Sequence, residues 1–192
     1  MAAVYQDIHR GIIELSKEGN PKAQYQLYKL YSKAMFNICV RMINSREEAE
    51  DLLQESFTDA FMKLNSFRYE SSFGAWLKRI VINKCINSIQ KKKVELVFPE
   101  HQVEPAPKEE KVDYGQIEMD VKMIHNAMEK LPDGYRVIFS LYALEGYDHS
   151  EISQILEISE STSKSQYLRA KQKIRVLLNN NHDERPIRTI HQ

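Results

Sequence analysis

Glycine and proline are scarce in this chain, six of each in 192 residues, and a turn-rich β fold needs more of both. A net charge is missing too: 27 lysines and arginines balance 27 aspartates and glutamates, so no global field advertises a nucleic-acid partner. No apolar run approaches the length of a membrane span, and the opening MAAVYQDIHRGIIELSKEG lacks the apolar core of a signal peptide. These absences lead to the expectation of a cytoplasmic protein without membrane insertion. The two cysteines, Cys39 and Cys85, sit in apolar surroundings without metal-ligand spacing. They read as small core residues, with a redox pair as the alternative. There is no glycine-rich phosphate loop, no Glu-x-x-His pair and no nucleophile motif. His125 and Glu129 stand one helical turn apart, a spacing more often a surface contact than a site. No metal, cofactor, small-molecule substrate or catalytic residue is expected, and the protein is not expected to be an enzyme.

What is present is helical period. From residue 22 onward Leu27, Leu30, Tyr31, Ala34 and Ile38 make one apolar stripe, and Ala49, Leu52, Leu53, Phe57, Ala60, Phe61 and Leu64 a second. A third helix is expected from about Ser72 to Lys92, with Phe73, Trp76, Leu77, Ile80, Val81 and Ile89 inward. Asn44-Ser45 and Ser71-Ser72 offer caps, and the polar stretch from Asn65 to Ser72 reads as a loop. Pro99, Pro105 and Pro107 then forbid a continuous helix, and Glu95, Glu100, Glu104, Glu109, Glu110, Asp113, Glu118 and Asp120 face only Lys108 and Lys111. That segment reads as an extended acidic linker. Helical period resumes near Ile117 and stops at Pro132; Tyr135 to Leu144 makes another helix, closed by Gly146. Short helices follow at about Ser150–Leu156 and Ser161–Leu178. The expected fold is all-α: two small helical domains joined by a flexible acidic linker. The expected boundaries are residues 1–93, linker 94–117, second domain 118–182 and a tail 183–192.

The segment HSEISQILEISESTSKSQYLRAKQKI has the form of a helix-turn-helix. Ile152, Ile155 and Leu156 line the first helix, Ile158 plugs the turn, and Ser159 or Ser161 caps the second helix. Tyr167, Ala170, Ile174 and Leu177 mark the buried side of that second helix by spacing. Ser161, Ser165, Leu168, Arg169 and Gln172 fall opposite, flanked by Lys164, Gln166 and Lys173. Short serines and long cations suit a helix set against phosphates in a major groove, and Leu168 suits a thymine methyl. The competing reading is a solvated basic helix with a stray leucine.

A second basic face lies in the first half. Between Ser71 and Val94 there is no acid, while Lys78, Arg79, Lys84, Lys91, Lys92 and Lys93 accumulate beside Phe67, Tyr69, Phe73 and Trp76. Cations for phosphates and rings for unstacked bases are what melted DNA requires, and the Asn83 amide suits a base edge. The same aromatics fit a core equally well, which would leave the lysines as a solvated face. The preceding helix is acidic along one side, with Glu47, Glu48, Glu50, Asp51, Glu55 and Asp59, and suits a basic protein partner or plain water.

Taken together, the two halves resemble the extracytoplasmic-function (ECF) group of sigma factors of bacterial RNA polymerase. AEDLLQESFTDAFMKL is similar to the helix that grips the clamp of the polymerase largest subunit, and SFGAWLKRIVINKCINSIQKK to the helix that melts and reads the −10 element. LPDGYRVIFSLYALEGYDHSEISQILEISESTSKSQYLRAKQKI is similar to the domain that reads the −35 element. The resemblance implies polymerase contacts at Asp51, Leu52, Gln54, Glu55 and Phe57. It implies a −10 base pocket at Phe67 and the loop through Ser72, base reading by Asn83, and backbone contacts at Lys78 and Arg79. It implies −35 contacts at Lys164, Ser165, Leu168 and Arg169; Lys173 joins them, and Tyr69 and Lys84 join the −10 group, on the charge and ring pattern alone. The implied partners are core RNA polymerase, promoter DNA and an anti-sigma factor. Ser163 stands where the family packs valine, which implies a looser seat for the reading helix, and Ser165 and Gln166 leave fewer arginines on its face.

Two other classes predict different sequences. A two-component regulator would show alternating strands and helices around a phosphorylatable aspartate, and would bind its operator without polymerase. An enzyme would show one of the motifs missing above.

Overall fold

The computed structural model describes residues 7–91 and 121–183. Among these residues every regular element is helical. The helices fall into two compact units, one within Met1–Val94 and the other within Glu95–Gln192. The acidic segment expected at 94–117 and the tail beyond Asp183 lie outside the described residues, and the helix expected from Ile117 is described from Val121.

The first unit comprises α1 (Arg10–Lys17), α2 (Pro21–Ile43), α3 (Arg46–Met62), a 3-10 turn at Leu64–Ser66 and α4 (Phe73–Lys91). α2 starts where the Asn20 side chain accepts the Lys22 and Ala23 N–H groups, with Pro21 at the first helical position, where a missing N–H costs nothing. The Asn44-Ser45 pair divides its labour. Asn44 ends α2 in the left-handed region at φ 59°, and the Ser45 hydroxyl opens α3 by accepting the Glu48 N–H. Helix α2 packs on α1, α3 and α4, and α3 packs on α4.

The α3 stripe is buried as its spacing predicts, with Phe61 half-buried. The α2 stripe needs correction. Leu27 and Ile38 are buried and Tyr31 is half-buried, but Leu30 is 50% exposed and Ala34 is exposed; Met35, Cys39 and Met42 fill the inner face instead. Three packed neighbours set the inward direction of so long a helix, and a five-residue stripe does not encode them. In α4 likewise, Ile82, Cys85 and Ile86 join the core while Trp76 and Ile80 are only half-buried. Cys39 and Cys85 are both free and fully buried where α2 meets α4. Their mutual hydrogen bond and burial push the Cys85 thiol up, away from the reactive thiolate.

The second unit comprises α5 (Val121–Glu129), α6 (Asp133–Phe139) running into a π turn at Ser140–Leu144, α7 (His149–Leu156) and α8 (Glu160–Asp183). Pro132 separates α5 from α6, and the buried Arg136 ties them by donating to the Leu131 carbonyl at 2.9 Å and pairing with Asp133. Gly146, at φ +78°, supplies the turn after the π segment. Helix α8 packs on α5, α6 and α7, around Ala127, Met128, Leu131, Ala170, Ile174 and Leu178.

Candidate nucleic-acid interface

The turn between α7 and α8 is assembled from local contacts. Asp148 caps α7, accepting the Glu151 N–H at 2.8 Å while Glu151 returns the favour to the Asp148 N–H at 2.9 Å. Glu157 adopts the left-handed conformation at φ 56° and lets its N–H reach back to the Ser153 carbonyl. The Ser159 hydroxyl then accepts the Thr162 N–H at 3.0 Å and starts α8.

On α8 the expected outer face holds in part. Lys164, Ser165 and Lys173 are exposed, and Leu168 and Arg169 are half-buried. Gln166, expected on a flank, is instead 2% exposed, and Ser163 is fully buried. The inner stripe is therefore Ser163, Gln166, Ala170, Ile174 and Leu178, with Tyr167 and Leu177 at its edge. The start of the helix faces α7, and there Ser163 has a polar partner: its hydroxyl lies 2.9 Å from His149 Nδ1. The His149 ring stacks on Tyr142 at 4.3 Å and meets Tyr167 edge-on at 5.8 Å. Burial, and then the nearby Lys164 ammonium, hold the His149 pKa below its ordinary value. A hydroxyl–imidazole contact thus occupies the place where the family resemblance implies an apolar one. Lys164 itself is paired with Glu160 at 2.6 Å, but both side chains are half exposed or more, so water and salt keep that pair weak.

In the first unit, Arg79, Asn83, Asn87 and Lys91 follow one another at four-residue spacing along α4 and all are exposed. Lys78 flanks that stripe, half-buried. Lys84 departs from it. Its ammonium sits 3.1 Å from Glu55 and 3.2 Å from Asp59, both on α3, and those carboxylates raise its pKa. The expected −10 cation is thus committed to the acidic helix, because the two helices pack side by side.

Phe67 and Tyr69 are buried, 3% and 6% exposed. Phe67 meets Tyr69, Phe73 and Trp76 at ring-centroid distances of 4.7, 5.8 and 5.3 Å, so one aromatic cluster underlies the loop. The loop's solvent side is Arg68, Glu70 and Ser71. The Tyr69 hydroxyl donates to Glu14 of α1 at 2.5 Å. That bond, followed by Lys17, lowers the Glu14 carboxyl pKa; burial and the same bond raise that of Tyr69. Nothing in the sequence around α1 announces these contacts, since Glu14 and Lys17 look like an ordinary exposed helix pair.

Of the expected polymerase-facing residues, Asp51, Gln54 and Glu55 are exposed on α3, whereas Leu52 and Phe57 belong to the core, Phe57 packing edge-on against Tyr28 at 4.9 Å. Met62, 78% exposed at the end of the same helix, is a further surface residue of α3 that no charge pattern in the sequence marks. Among the described residues, no group of acids, histidines and cysteines is placed to hold a metal ion, and no helix is long and apolar enough to cross a membrane.

Family models match both units: Sigma-70 region 2 over residues 27–94 and Sigma-70, region 4 over residues 122–174. The ECF RNA polymerase sigma factor SigW of Bacillus subtilis is 30% identical over 176 residues, covering 85% of this chain and 92% of that protein. The chain belongs to the ECF sigma factors. SigM of Bacillus subtilis, another member, is 29% identical across 80% of this chain and 94% of its own. Among solved structures, the sigma factor RpoE of Bartonella quintana, in complex with the anti-sigma factor NepR, matches with a TM-score of 0.53. It shares 23% identity, covering 81% of this chain and 96% of that one, a likeness of fold. As an ECF sigma factor, the chain acts in promoter-directed transcription initiation, and its region 4 unit carries the helix-turn-helix of α7 and α8.

Proposed function

We propose that this sigma factor reads the −35 element with α8 and the −10 element with α4 and the loop before it, while α3 holds the clamp of core RNA polymerase. In this reading residues 1–93 bind polymerase and melt the −10 region, residues 94–117 link, and residues 118–182 read the −35 region. The observation that carries it is the split of α8 into a buried stripe and an outer face bearing Lys164, Ser165, Leu168, Arg169 and Lys173. A helix so mounted, with its N-terminal half free of bulky acids beyond Glu160, fits a major groove. The acid-free exposed stripe of α4 supports the −10 assignment by the same logic of phosphate attraction. On α3, Asp51, Gln54 and Glu55 are the direct polymerase contacts, with Leu52 and Phe57 holding their helix in place. An anti-sigma factor is a further expected partner, in line with the complex known for the Bartonella relative.

Run-off transcription with core polymerase on randomised promoter libraries tests the whole. Enriched promoters with two conserved boxes are expected, and Asn83→Ala is expected to lose open-complex permanganate reactivity while retaining polymerase binding. Transcription without either box, or operator binding without polymerase, overturns the reading.

A further inference from the structure

The loop between α3 and α4 is held from behind by residues far away in the chain. Phe73 opens α4, and its backbone N–H is one of the donors that a helix start leaves without an intrahelical partner. Asp7 fills that need from 66 residues away: its Oδ2 accepts the Phe73 N–H at 2.8 Å, and its Oδ1 accepts the His9 N–H at 2.9 Å. Both oxygens are used, and Asp7 is only 6% exposed. Lys17 donates from its Nζ to the Phe67 carbonyl at 3.3 Å. Glu14 takes the Tyr69 hydroxyl, and the Arg10 and Lys17 cations lie 4.9 and 4.6 Å from the centre of the Tyr69 ring.

These contacts fall on one short arc. They fix the carbonyl at 67, the side chain at 69 and the amide at 73. Tyr69 also holds a left-handed backbone at φ 60°, a conformation that an L-residue adopts only when its surroundings impose it. Between the fixed points, Arg68, Glu70 and Ser71 turn outward. The aromatic rings are spent on one another beneath, so the surface that an unstacked base meets is this outer arc. Its shape depends on what holds positions 67, 69 and 73.

We propose that Asp7, Glu14 and Lys17 are positioning residues for −10 recognition: the α1 segment sets, from behind, the conformation of the Arg68–Ser71 arc that meets the melted strand. The inference rests on the assignment of this loop to the −10 element. Its physical content is preorganisation, since a loop already ordered loses less freedom when a base docks.

The test uses the full chain assembled with core polymerase. The probe is a library of short single-stranded DNA oligonucleotides of random sequence, and the readout is the ratio of binding to the enriched sequence over the unselected pool. Glu14→Ala and Tyr69→Phe each remove one clasp bond, and each is expected to flatten that ratio about three- to tenfold, the worth of a single hydrogen bond. Assembly with core polymerase stays unchanged in both. Glu14→Gln, whose amide oxygen still accepts the Tyr69 hydroxyl, is expected to retain the ratio, which a purely electrostatic effect would not produce. Tyr69→Phe keeps the ring packing and so guards against loss of fold. An unchanged ratio in Glu14→Ala and Tyr69→Phe, with only a lower unfolding midpoint, makes the clasp structural and overturns the proposal. If Arg68→Ala and Glu70→Ala together also leave the ratio untouched, the loop is not the reader, and the proposal falls with that assignment instead.

Discussion

The two candidate DNA-reading surfaces are built in opposite ways. The second unit makes the turn and the start of its reading helix from neighbours in sequence: the Asp148–Glu151 capping box, the Ser159 cap and the contact between His149 and Ser163 span at most 14 residues. The first unit makes its loop from contacts across 50, 55 and 66 residues. Local contacts form with little loss of chain entropy and fix the turn and the first turns of α8, whose later turns pack on α5 and α6. Distant contacts exist only once α1, α2 and α4 have packed, so the loop is only as well defined as the whole unit. The two surfaces therefore respond differently to damage.

The largest expected effect is Phe73→Ala. This fully buried ring sits against Tyr31, Phe67 and Trp76, and truncation costs about 3–5 kcal/mol. Trp76 is the only tryptophan, so its fluorescence follows the first unit alone, while far-UV dichroism follows both. The fluorescence transition is expected to move to lower urea and to separate from part of the dichroism signal. Coincident, equally shifted transitions would mean that the two units unfold as one, and the contrast would break.

Next comes the reading face itself. Arg169→Ala is expected to weaken promoter binding by about 1–3 kcal/mol and to relax preference at one −35 position, whereas Lys173→Ala weakens all sequences alike and lowers the salt slope. Binding measured against a panel of single-base promoter variants separates the two. Identical, sequence-independent losses would refute the docking of α8.

Asp148→Ala sharpens the claim of local construction. Loss of this cap costs about 1 kcal/mol, expected to appear in the second unit without any change in the Trp76 transition. A shift in the Trp76 signal would show coupling between the units that the contrast does not allow.

The smallest effect is a pH dependence at His149. Its folded pKa lies below the ordinary value of 6.5, so the unfolded chain takes up the proton more readily than the folded one. Stability is then complete above pH 6.5 and declines as the pH falls below it. An NMR titration of the imidazole is expected to show the lowered pKa, and Ser163→Ala, which removes the partner of Nδ1, to destabilise the second unit by about 1 kcal/mol. A titration midpoint above 6.5 would contradict the partly buried, Lys164-facing position of the ring.

Features encoded within a turn or two of helix are legible in the linear chain. The α3 stripe, the Pro132 stop, the Gly146 turn and the helix-turn-helix of α7 and α8 are all of this kind, because 3.6-residue periodicity and caps act through near neighbours. The family followed from the order of those local patterns. Packing between helices sets which way the long helices face and what lies behind the loop between α3 and α4. The outward Leu30 and Ala34, the inward Gln166, the capture of Lys84 by Glu55 and Asp59, and the clasp of Asp7, Glu14 and Lys17 all depend on which helix packs against which. Charge and periodicity along one helix carry no record of its neighbours, and a carboxylate one turn from a lysine looks the same whether it faces water or holds a loop 55 residues away.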